Sequence, residues 1–446
     1  MPEVISFRPM FRFFERLEFN PLLPLIGLVQ GFALFGLDAK DHMGGQDMDT
    51  LRLALVAGPT ACILTLSRVH WRRDVIFSAV IGLIVGGLGW WLAVGLDLRV
   101  LDTPDLGGAF ALSMLAFVMI AVAFYEAWRQ DPSFPPAHDL LFRHGWNDLL
   151  RLLLAGLFTG ALWLVLYLWG ALFKLIDIRF FADLFGRDWF AWTFSGAAFG
   201  TGIAILQEFD SALAAARRLT FALFRFLGAA LALAGVLFLC ALPFTGLEPL
   251  WATRHAASIA LWVCLLTLLF ANGGVRSRLE RSPKRFWRIL MMPALVLLPV
   301  YGGIALHALY LRIDQYGMTP DRVYALILAV VATLFALVYA GTVVVARERW
   351  TEAVAQVNPW LALFAGIVAF VMHLPPLEAF GWSARSQAAI LRDGRIAADA
   401  FDFGFLKFRL GAPGRLALAD LAESPAAQRP EIAAALARLD DIDSLA

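Results

Sequence analysis

The stretch VYALILAVVATLFALVYAGTVVV, residues 323–345, carries no charged side chain. The hydrocarbon core of a bilayer is ~30 Å thick, and a helix of ~20 apolar residues crosses it. Within that core the backbone must satisfy its own hydrogen bonds, which an α-helix does inside a single segment. The stretch therefore predicts a helix that spans a membrane.

Other stretches along the chain have the same character. Together they predict an all-α fold, a polytopic transmembrane helix bundle of about eleven spans. The predicted spans lie near residues 21–37, 52–67, 75–97, 106–128, 149–173, 189–206, 221–244, 255–272, 289–310, 323–345 and 358–374. The second span is the weakest, because it is short and contains Gly58-Pro59; a re-entrant segment is the alternative there.

The composition supports a membrane protein. Apolar residues make up 60% of the chain and charged residues 16%, whereas soluble domains have about 45–50% and about 25%. The net charge is +1 and no basic patch is present, so nucleic acid is not an expected partner. Cys62, Cys240 and Cys264 lie in apolar runs and form no pattern typical of disulfides or zinc. The expected partner is the lipid bilayer, with a small-molecule or lipid substrate as a further option; oligomeric state is not predicted.

The basic residues between the spans predict the orientation. If the N-terminus is inside, the inner segments hold most of the arginines, including the run at 276–288, as the positive-inside rule requires. An odd number of spans then places the C-terminus outside. The predicted location is the bacterial inner (cytoplasmic) membrane, with a cytoplasmic N-terminus and a periplasmic C-terminus.

Three regions are expected. Residues 1–20 read as an interfacial amphipathic segment, because Met10, Phe13, Phe14 and Leu17 share one helical face; packing of this face against the bundle is the alternative. Residues 21–375 form the transmembrane bundle. Residues 383–446 form a C-terminal extramembrane helical tail, too small for a large core of its own and therefore expected to lean on the bundle.

Small residues recur at four-residue spacing in several spans. Such pairs let helix backbones approach closely in lipid, where no hydrophobic drive acts between helices. Packing within the chain is the favoured interpretation, and dimerisation is the alternative. The pairs are Gly27 with Gly31, Gly82 with Gly86, Gly156 with Gly160, and Gly196 with Gly200.

No stretch carries a motif for phosphate binding, zinc hydrolysis, a serine nucleophile or a dinucleotide. No two histidines lie three or four residues apart, as a helical metal site would need. We therefore predict no catalytic, cofactor-binding or metal-binding residues and no cofactor. A role other than an enzyme's is favoured, and an enzyme is the alternative.

The span at 289–310 is the most unusual one. Pro293, Pro299, Gly302 and Gly303 predict a break in the helix, which at membrane depth is tolerated where protein or a water-filled cavity satisfies the backbone. Broken helices recur in transporter sites. The alternative is a simple kink at Pro299.

Several polar residues fall near the outer ends of the predicted spans. If the helices close into one bundle, these residues could line an outward-facing vestibule, in which His307 and His373 would titrate near neutral pH. The alternative is that they meet only water and head groups. The vestibule candidates are Tyr301, His307, His373, Asp177, His255 and Arg322.

The outer loop Tyr316-Gly317-Met-Thr319-Pro-Asp-Arg322 has the pattern of a helix start. Gly317 permits a tight turn, Thr319 can cap the next helix, and the following proline suits its first position. Arg322 can bond nearby carbonyl groups. Contact with a ligand is the alternative function of this loop.

Three stretches resemble those of a known family. They are His144-Gly-Trp-Asn-Asp148 continuing to Phe181, the loop 316–322, and Phe401-Asp402-Phe403 continuing to Gly411. The chain from about residue 20 onward resembles the uncharacterised bacterial multi-pass inner-membrane proteins grouped as domain of unknown function 4153. The resemblance implies an inner-membrane protein with a small extramembrane C-terminal part, and it supplies no site residues.

Three functions remain open on these grounds, and the first of them, transport or handling of a lipid or envelope substrate, is slightly favoured because of the predicted helix break. A transporter-like or lipid-handling protein would use the broken span and the vestibule, and should show a polar cavity near Tyr301 and His307. An envelope interaction or sensor module would act through the tail, beside a filled bundle. An integral-membrane transferase would need a nucleophile and a base in contact, and it ranks last because no candidate pair is recognisable.

Overall fold

The apolar runs of the sequence fold as helices, because only a helix pairs all its backbone groups within one apolar segment. The structure, a computed structural model, describes residues 20–41, 48–67, 69–97, 104–275, 285–375 and 377–440. In these ranges the regular elements are helical and none is a strand. The predicted all-α class is confirmed. The predicted amphipathic segment at the N-terminus lies, up to residue 19, outside the described residues.

Sixteen α-helices occur in the described ranges. In chain order they are α1 Leu22–Asp41, α2 Met48–Thr65, α3 Trp71–Leu96, α4 Pro104–Gln130, α5 His138–Lys174, α6 Phe180–Phe185, α7 Asp188–Glu208, α8 Asp210–Thr245, α9 Glu248–Ala252, α10 Ala256–Asn272, α11 Arg285–Tyr316, α12 Pro320–Ala346, α13 Trp350–Val371, α14 Ala379–Arg392, α15 Gly411–Glu423 and α16 Pro430–Asp440. Each predicted span corresponds to one of the helices α1 to α5, α7, α8 and α10 to α13.

Seven helical segments of the described chain are long and apolar enough to cross a membrane. They are Trp71–Leu96, Leu106–Gln130, His138–Lys174, Asp188–Glu208, Ser211–Thr245, Arg285–Tyr316 and Pro320–Val371. The last joins α12 and α13 through a single 3₁₀ turn at Arg347–Arg349. Shorter apolar helices cover Leu22–Asp38, Thr50–Thr65 and Ala256–Asn272. The polytopic helical architecture is therefore present, while the number of complete spans stays a prediction.

The chain divides into two compact units. Residues 1–87 and 143–218 form the first, and residues 88–142 and 219–446 form the second. Both contain long apolar helices. The grouping of residues 21–375 into a single bundle stays a prediction.

In the first unit, α1 packs on α7 through glycines. A Cβ atom at Gly27 would overlap the carbonyl oxygen of Gly196, and one at Gly31 would overlap that of Trp192. A Cβ atom at Gly200 would overlap the carbonyl oxygen of Leu23. The two backbones therefore lie in direct contact, which confirms the predicted packing role of these glycine pairs.

The other two glycine pairs differ from each other. Gly82 of α3 lies against Gly58 of α2, where a new Cβ would come within 3.3 Å of the Cα atom of Gly58. Gly86 also packs on α2, against Ala54. Around Gly156 and Gly160 of α5, by contrast, no described atom lies within 4 Å of an added Cβ. Packing within the chain therefore explains three of the four predicted pairs.

The core of the second unit is built on α10, α11 and α12. Met291, Leu295 and Leu298 of α11 are at most 1% exposed, as are Ala336 and Tyr339 of α12. At one end of these helices the rings of Trp287 and Trp350 stack, with centroids 6.0 Å apart. Large apolar side chains thus fill this bundle along its length.

The C-terminal tail belongs to the second unit and has a small core of its own. Its helices are α14, α15 and α16, together with a π-helical turn at Phe405–Arg409. The first of them begins at Ala379, four residues before the predicted start of the tail at 383. Buried apolar side chains come from each of these elements: Ile390, Leu391, Leu406, Leu418, Leu421, Ile432 and Leu439. Arg429 donates hydrogen bonds to the carbonyl oxygens of Leu391 and Arg392 at 2.8 and 3.0 Å, which closes the end of α14.

Candidate functional site

The tail begins with a capped helix. The carboxylate of Glu378 accepts hydrogen bonds from the backbone N–H groups of Phe380 and of Gly381, the latter at 2.7 Å. These bonds satisfy two of the N–H groups that a helix start leaves unpaired. Burial raises the pKa of Glu378, against the opposing effect of the two N–H groups and of Arg385. The first turn of α14 is therefore held in place by a half-buried acidic group.

The same helix is clamped onto the loop between α11 and α12. The side-chain amide of Gln387 donates hydrogen bonds to the carbonyl oxygens of Tyr316, at 3.1 Å, and Met318, at 2.9 Å. The N–H group of Met318 donates to the hydroxyl of Ser386 at 3.0 Å. Gln387 is only 8% exposed, and these bonds satisfy its amide. We call residues 316–319 with Ser386 and Gln387 the loop clamp.

Gly317 gives the loop clamp its shape. Its φ of +72° lies in the left-handed region, which side chains disfavour. An added Cβ atom would also overlap Ile390 and come within 2.8 Å of the amide nitrogen of Gln387. The glycine is therefore needed both for the turn and for close approach of α14.

Arg322 supports the loop from the other side, as the sequence predicts. Its guanidinium donates to the carbonyl oxygens of Tyr316 at 3.3 Å and of Gly317 at 2.5 Å. It also lies 5.7 Å from the centre of the Tyr316 ring. Thr319 occupies the cap position with Pro320 at the first turn of α12, but its side chain makes no capping hydrogen bond. The predicted helix start is correct, and the predicted side-chain cap is not.

Two ion pairs join the tail to other parts of the second unit. Arg395, just after α14, pairs with Asp314 near the end of α11 at 3.1 Å. Arg415 of α15 pairs with Asp97, which follows α3. Both pairs are largely exposed, so each contributes about 0–1 kcal/mol. They position the tail more than they stabilise it.

The predicted break in α11 is not seen. The helix runs without interruption from Arg285 to Tyr316, with Pro293 and Pro299 inside it. Gly302 packs directly against Thr333 of α12, whereas Gly303 has no described atom near its Cβ position. The helix therefore continues through both prolines, and the alternative of a simple kink at Pro299 stays a prediction.

Tyr301 lies in the packed interior and not in an open vestibule. It is 5% exposed, and its hydroxyl donates to the carbonyl oxygen of Gly235 at 2.8 Å. The cavity beside it measures about 10 Å³, whereas a single water needs roughly 10–15 Å³. No polar passage beside Tyr301 follows from the described residues of this unit.

The remaining vestibule candidates have separate partners. His307 is exposed, and its ring makes an edge-to-face contact with that of Trp251, with centroids 5.9 Å apart. His255 is exposed at the start of α10, where its backbone N–H group donates to the hydroxyl of Thr253. Asp177 belongs to the first unit, in the exposed turn after α5, with a φ of +64°. The vestibule that would join these residues stays a prediction.

His373 is the buried member of the set. It is 1% exposed, and its Nε2 atom lies 2.7 Å from the hydroxyl oxygen of Ser113 on α4. The ring also packs against Phe110 and Tyr324. A serine hydroxyl beside an imidazole resembles a nucleophile and its base. Ser113 is only 8% exposed, however, so the pair joins α4 to the end of α13 and offers a substrate no access.

A buried polar network was not predicted from the sequence. The hydroxyl of Tyr339 on α12 lies 2.6 Å from the side-chain oxygen of Asn358 on α13 and 3.1 Å from that of Asn272 on α10. The amide of Asn358 donates to Asn272 at 2.8 Å. Three helices are thereby pinned together. The sequence did contain an indication of this network. Asn272 and Asn358 lie at the ends of apolar runs, and an asparagine that becomes buried there needs a hydrogen-bond partner.

Across the described residues, no group of three or more histidine, cysteine, aspartate or glutamate side chains could hold a metal ion. The loop clamp consists of hydrogen bonds only: the amide of Gln387 donates to two backbone carbonyls, and the hydroxyl of Ser386 accepts from one backbone N–H group. These bonds connect α14 to the loop between α11 and α12, so a displacement of α14 would displace the ends of both helices.

Comparison with known proteins supports the family resemblance. Searches of curated proteins and of solved structures found no match. One family model, described as domain of unknown function (DUF4153), matches residues 55–421. The matched range includes the loop clamp and α14, so the family unit extends beyond the membrane helices into the tail. Since the model covers most of the chain, this protein belongs to the DUF4153 family.

Proposed function

We propose that this chain is an integral membrane protein that works as an interaction or sensor module through its C-terminal tail. The observation that carries the proposal is the loop clamp, in which Gln387 bonds two carbonyl groups of the loop between α11 and α12. On the predicted orientation the tail lies on the periplasmic face of a bacterial inner membrane. A partner or ligand that moves α14 would then act on both long helices.

The tail presents an exposed surface suited to such a role. Leu416 of α15 is 67% exposed, although Leu418 and Leu421 of the same helix are buried. Arg415, Asp420 and Glu423 are exposed on α15 as well. A single exposed leucine is normal on a protein surface, so Leu416 serves as the position from which contacts of this face are tested.

Transport has less support than this interaction role. The transport interpretation depended on a broken helix and a polar cavity near Tyr301. A continuous α11 and a space of about 10 Å³ beside Tyr301 favour a filled bundle instead. A filled bundle is what the interaction interpretation expects.

Site-specific photo-crosslinking in living cells would test the proposal. A photoreactive phenylalanine derivative replaces Leu416, and adducts are identified by mass spectrometry. We expect a discrete adduct with one partner. The yield of this adduct should fall in the double variant Gln387→Ala with Arg395→Ala, because the tail then loses its bonds to the loop between α11 and α12 and to Asp314.

The matched control is Gln428→Ala, which removes an exposed amide from the same tail. The adduct should persist in this variant. Absence of an adduct from both Leu416 and Glu423 in a well-expressed protein would contradict the proposal, as would an adduct that ignores the loop clamp.

A further inference from the structure

Four arginines cluster at the end of the second unit where α11 begins and α12 meets α13. Arg285 and Arg288 lie in the first turn of α11, and Arg347 and Arg349 belong to the 3₁₀ turn between α12 and α13. Glu348 connects the two pairs. The guanidinium of Arg285 lies 3.3 Å from its carboxylate, and that of Arg288 donates to its backbone carbonyl oxygen at 3.2 Å. We call these four arginines the arginine patch.

The arginine patch keeps a net positive charge. Its acidic neighbour Glu348 pairs with Arg285. Arg347 and Arg349 are exposed, and their side chains make no ion pair or hydrogen bond with the described residues. The first turn of α11 holds no acidic residue, so the positive end of the helix dipole adds to the field of the arginines. A negatively charged group would therefore be attracted to this surface.

An apolar face continues from the arginine patch along α11. Ile289 and Met292 line a small depression together with Glu348 and two arginines of the patch. Val296 and Val300 follow at four-residue spacing, which places them on the same face of the helix, and both are exposed. The depression measures about 10 Å³, room for about one water, so a larger group would lie over it on the exposed guanidiniums.

This combination matches the chemistry of a phospholipid. The guanidinium group of arginine binds phosphate oxygens through charge-assisted hydrogen bonds. The apolar face belongs to a helix that is long and apolar enough to cross a membrane, so acyl chains are its expected surroundings. A soluble phosphate would contact the arginines but would leave the apolar face unused. Charge and apolar surface together therefore favour a lipid over a free anion.

We propose that the arginine patch and the apolar face of α11 bind an anionic phospholipid. The phosphate accepts hydrogen bonds from the exposed guanidiniums, while an acyl chain lies along Ile289, Val296 and Val300. On the predicted orientation the patch lies at the cytoplasmic leaflet, whose anionic lipids attract basic segments. This site is distinct from the loop clamp and does not depend on the role proposed for the tail.

Native mass spectrometry of the full-length, delipidated protein in detergent tests the proposal. The two titrated lipids share palmitoyl and oleoyl chains and differ in the head group, phosphatidylglycerol or phosphatidylcholine. We expect the first phosphatidylglycerol to bind at least about tenfold more tightly than phosphatidylcholine, which corresponds to about 1.4 kcal/mol. Inorganic phosphate at an equal concentration should not displace it, because phosphate has no acyl chain.

A pair of double variants locates the site. Arg347→Gln with Arg349→Gln should weaken phosphatidylglycerol binding at least about tenfold. The matched control is Arg72→Gln with Arg73→Gln, which removes two exposed arginines from the start of α3. On the predicted orientation that helix start also lies at the cytoplasmic face. The control should leave binding unchanged, whereas a merely general attraction to basic residues would make the two double variants equal.

A third variant should act in the opposite direction. Glu348→Gln removes the carboxylate that repels a phosphate and occupies Arg285. Phosphatidylglycerol binding should tighten by about two- to fivefold, in line with the energy of an exposed charge pair.

Four results would each overturn the proposal: equal binding of the two lipids, displacement by inorganic phosphate, equal binding in the two double-arginine variants, or weaker binding in Glu348→Gln. Size-exclusion profiles and thermal unfolding report whether each variant folds. Should the variant at 347 and 349 fail to fold, the comparison of the two lipids and the Glu348→Gln variant decide the question.

Discussion

The side-chain amide of Gln387 donates a hydrogen bond to the backbone carbonyl oxygen of Met318 at 2.9 Å. The two residues are 69 positions apart in the chain, and the bond joins the first helix of the tail to the loop between two long apolar helices. Because Gln387 is buried, no water replaces this contact easily. A buried hydrogen bond therefore attaches the tail to the rest of the second unit.

Replacement of Gln387 by alanine should loosen the loop. The variant removes the side-chain donor from the carbonyl group of Met318 and leaves that of Tyr316 with Arg322 alone. This should cost about 1–3 kcal/mol. Hydrogen–deuterium exchange of peptides covering 313–322 should accelerate accordingly. Gln428→Ala, the exposed control, should leave that exchange unchanged. Equal exchange in the two variants would show that the clamp holds nothing.

The glycine contacts of the first unit lead to a matched comparison. Gly27→Ala and Gly196→Ala should each destabilise the protein by about 2 kcal/mol or more, because the new Cβ overlaps a backbone oxygen and pushes α1 from α7. Gly156→Ala should be close to neutral, since no described atom lies near its Cβ position. Thermal unfolding in detergent measures the difference. A Gly156→Ala variant as unstable as Gly27→Ala would mean that another surface covers α5.

Ser113→Ala should destabilise the contact between α4 and the end of α13. The substitution removes the group that lies 2.7 Å from Nε2 of His373 and leaves the buried ring without that bond, at a cost of about 1–3 kcal/mol. Thr342→Ala serves as the control, because its exposed hydroxyl bonds only the carbonyl oxygen of Val338 in its own helix. The unfolding temperature of Ser113→Ala should be lower than that of Thr342→Ala. The opposite result would refute the role given to Ser113.

The stability of the tail should depend on pH through Glu378. Because burial raises its pKa, the folded state holds the proton more tightly than the unfolded state does. This group's contribution is present below its ordinary pKa and is lost as the pH rises through the folded pKa. The unfolding temperature of the wild type, minus that of Glu378→Gln, should therefore increase as the pH falls from 7 towards 4.5. A constant or decreasing difference would contradict the assignment.

The sequence predicts the helices well, because long apolar runs allow few alternatives. The loop at 316–319 was also predictable in part: Gly317 requires a turn, and Pro320 suits the start of α12. Its contacts were not, since Gln387 lies 71 residues from Tyr316 and nothing local pairs them. The pairing of Ser113 with His373, 260 residues apart, was hidden for the same reason.

The prolines of α11 show where local reasoning misleads. Pro293 and Pro299 predict a break because each removes a backbone donor. The structure keeps the helix continuous, with Gly302 packed on Thr333 and Tyr301 bonded to Gly235. A missing backbone donor therefore does not by itself end a long apolar helix.

Disulfide trapping of the loop clamp tests the central claim most directly. The native cysteines are first replaced by alanine, and Met318→Cys is combined with Ser386→Cys. The backbone nitrogen of Met318 lies 3.0 Å from the hydroxyl oxygen of Ser386, which keeps the two Cα atoms within about 7 Å of each other, close enough for a disulfide. Mild oxidation in membranes should give a disulfide in most of the protein, with little from the control pair Met318→Cys and Gln428→Cys. If the 318–386 pair forms no more disulfide than the control, the tail does not sit on the loop, and the proposed interaction module loses its structural basis.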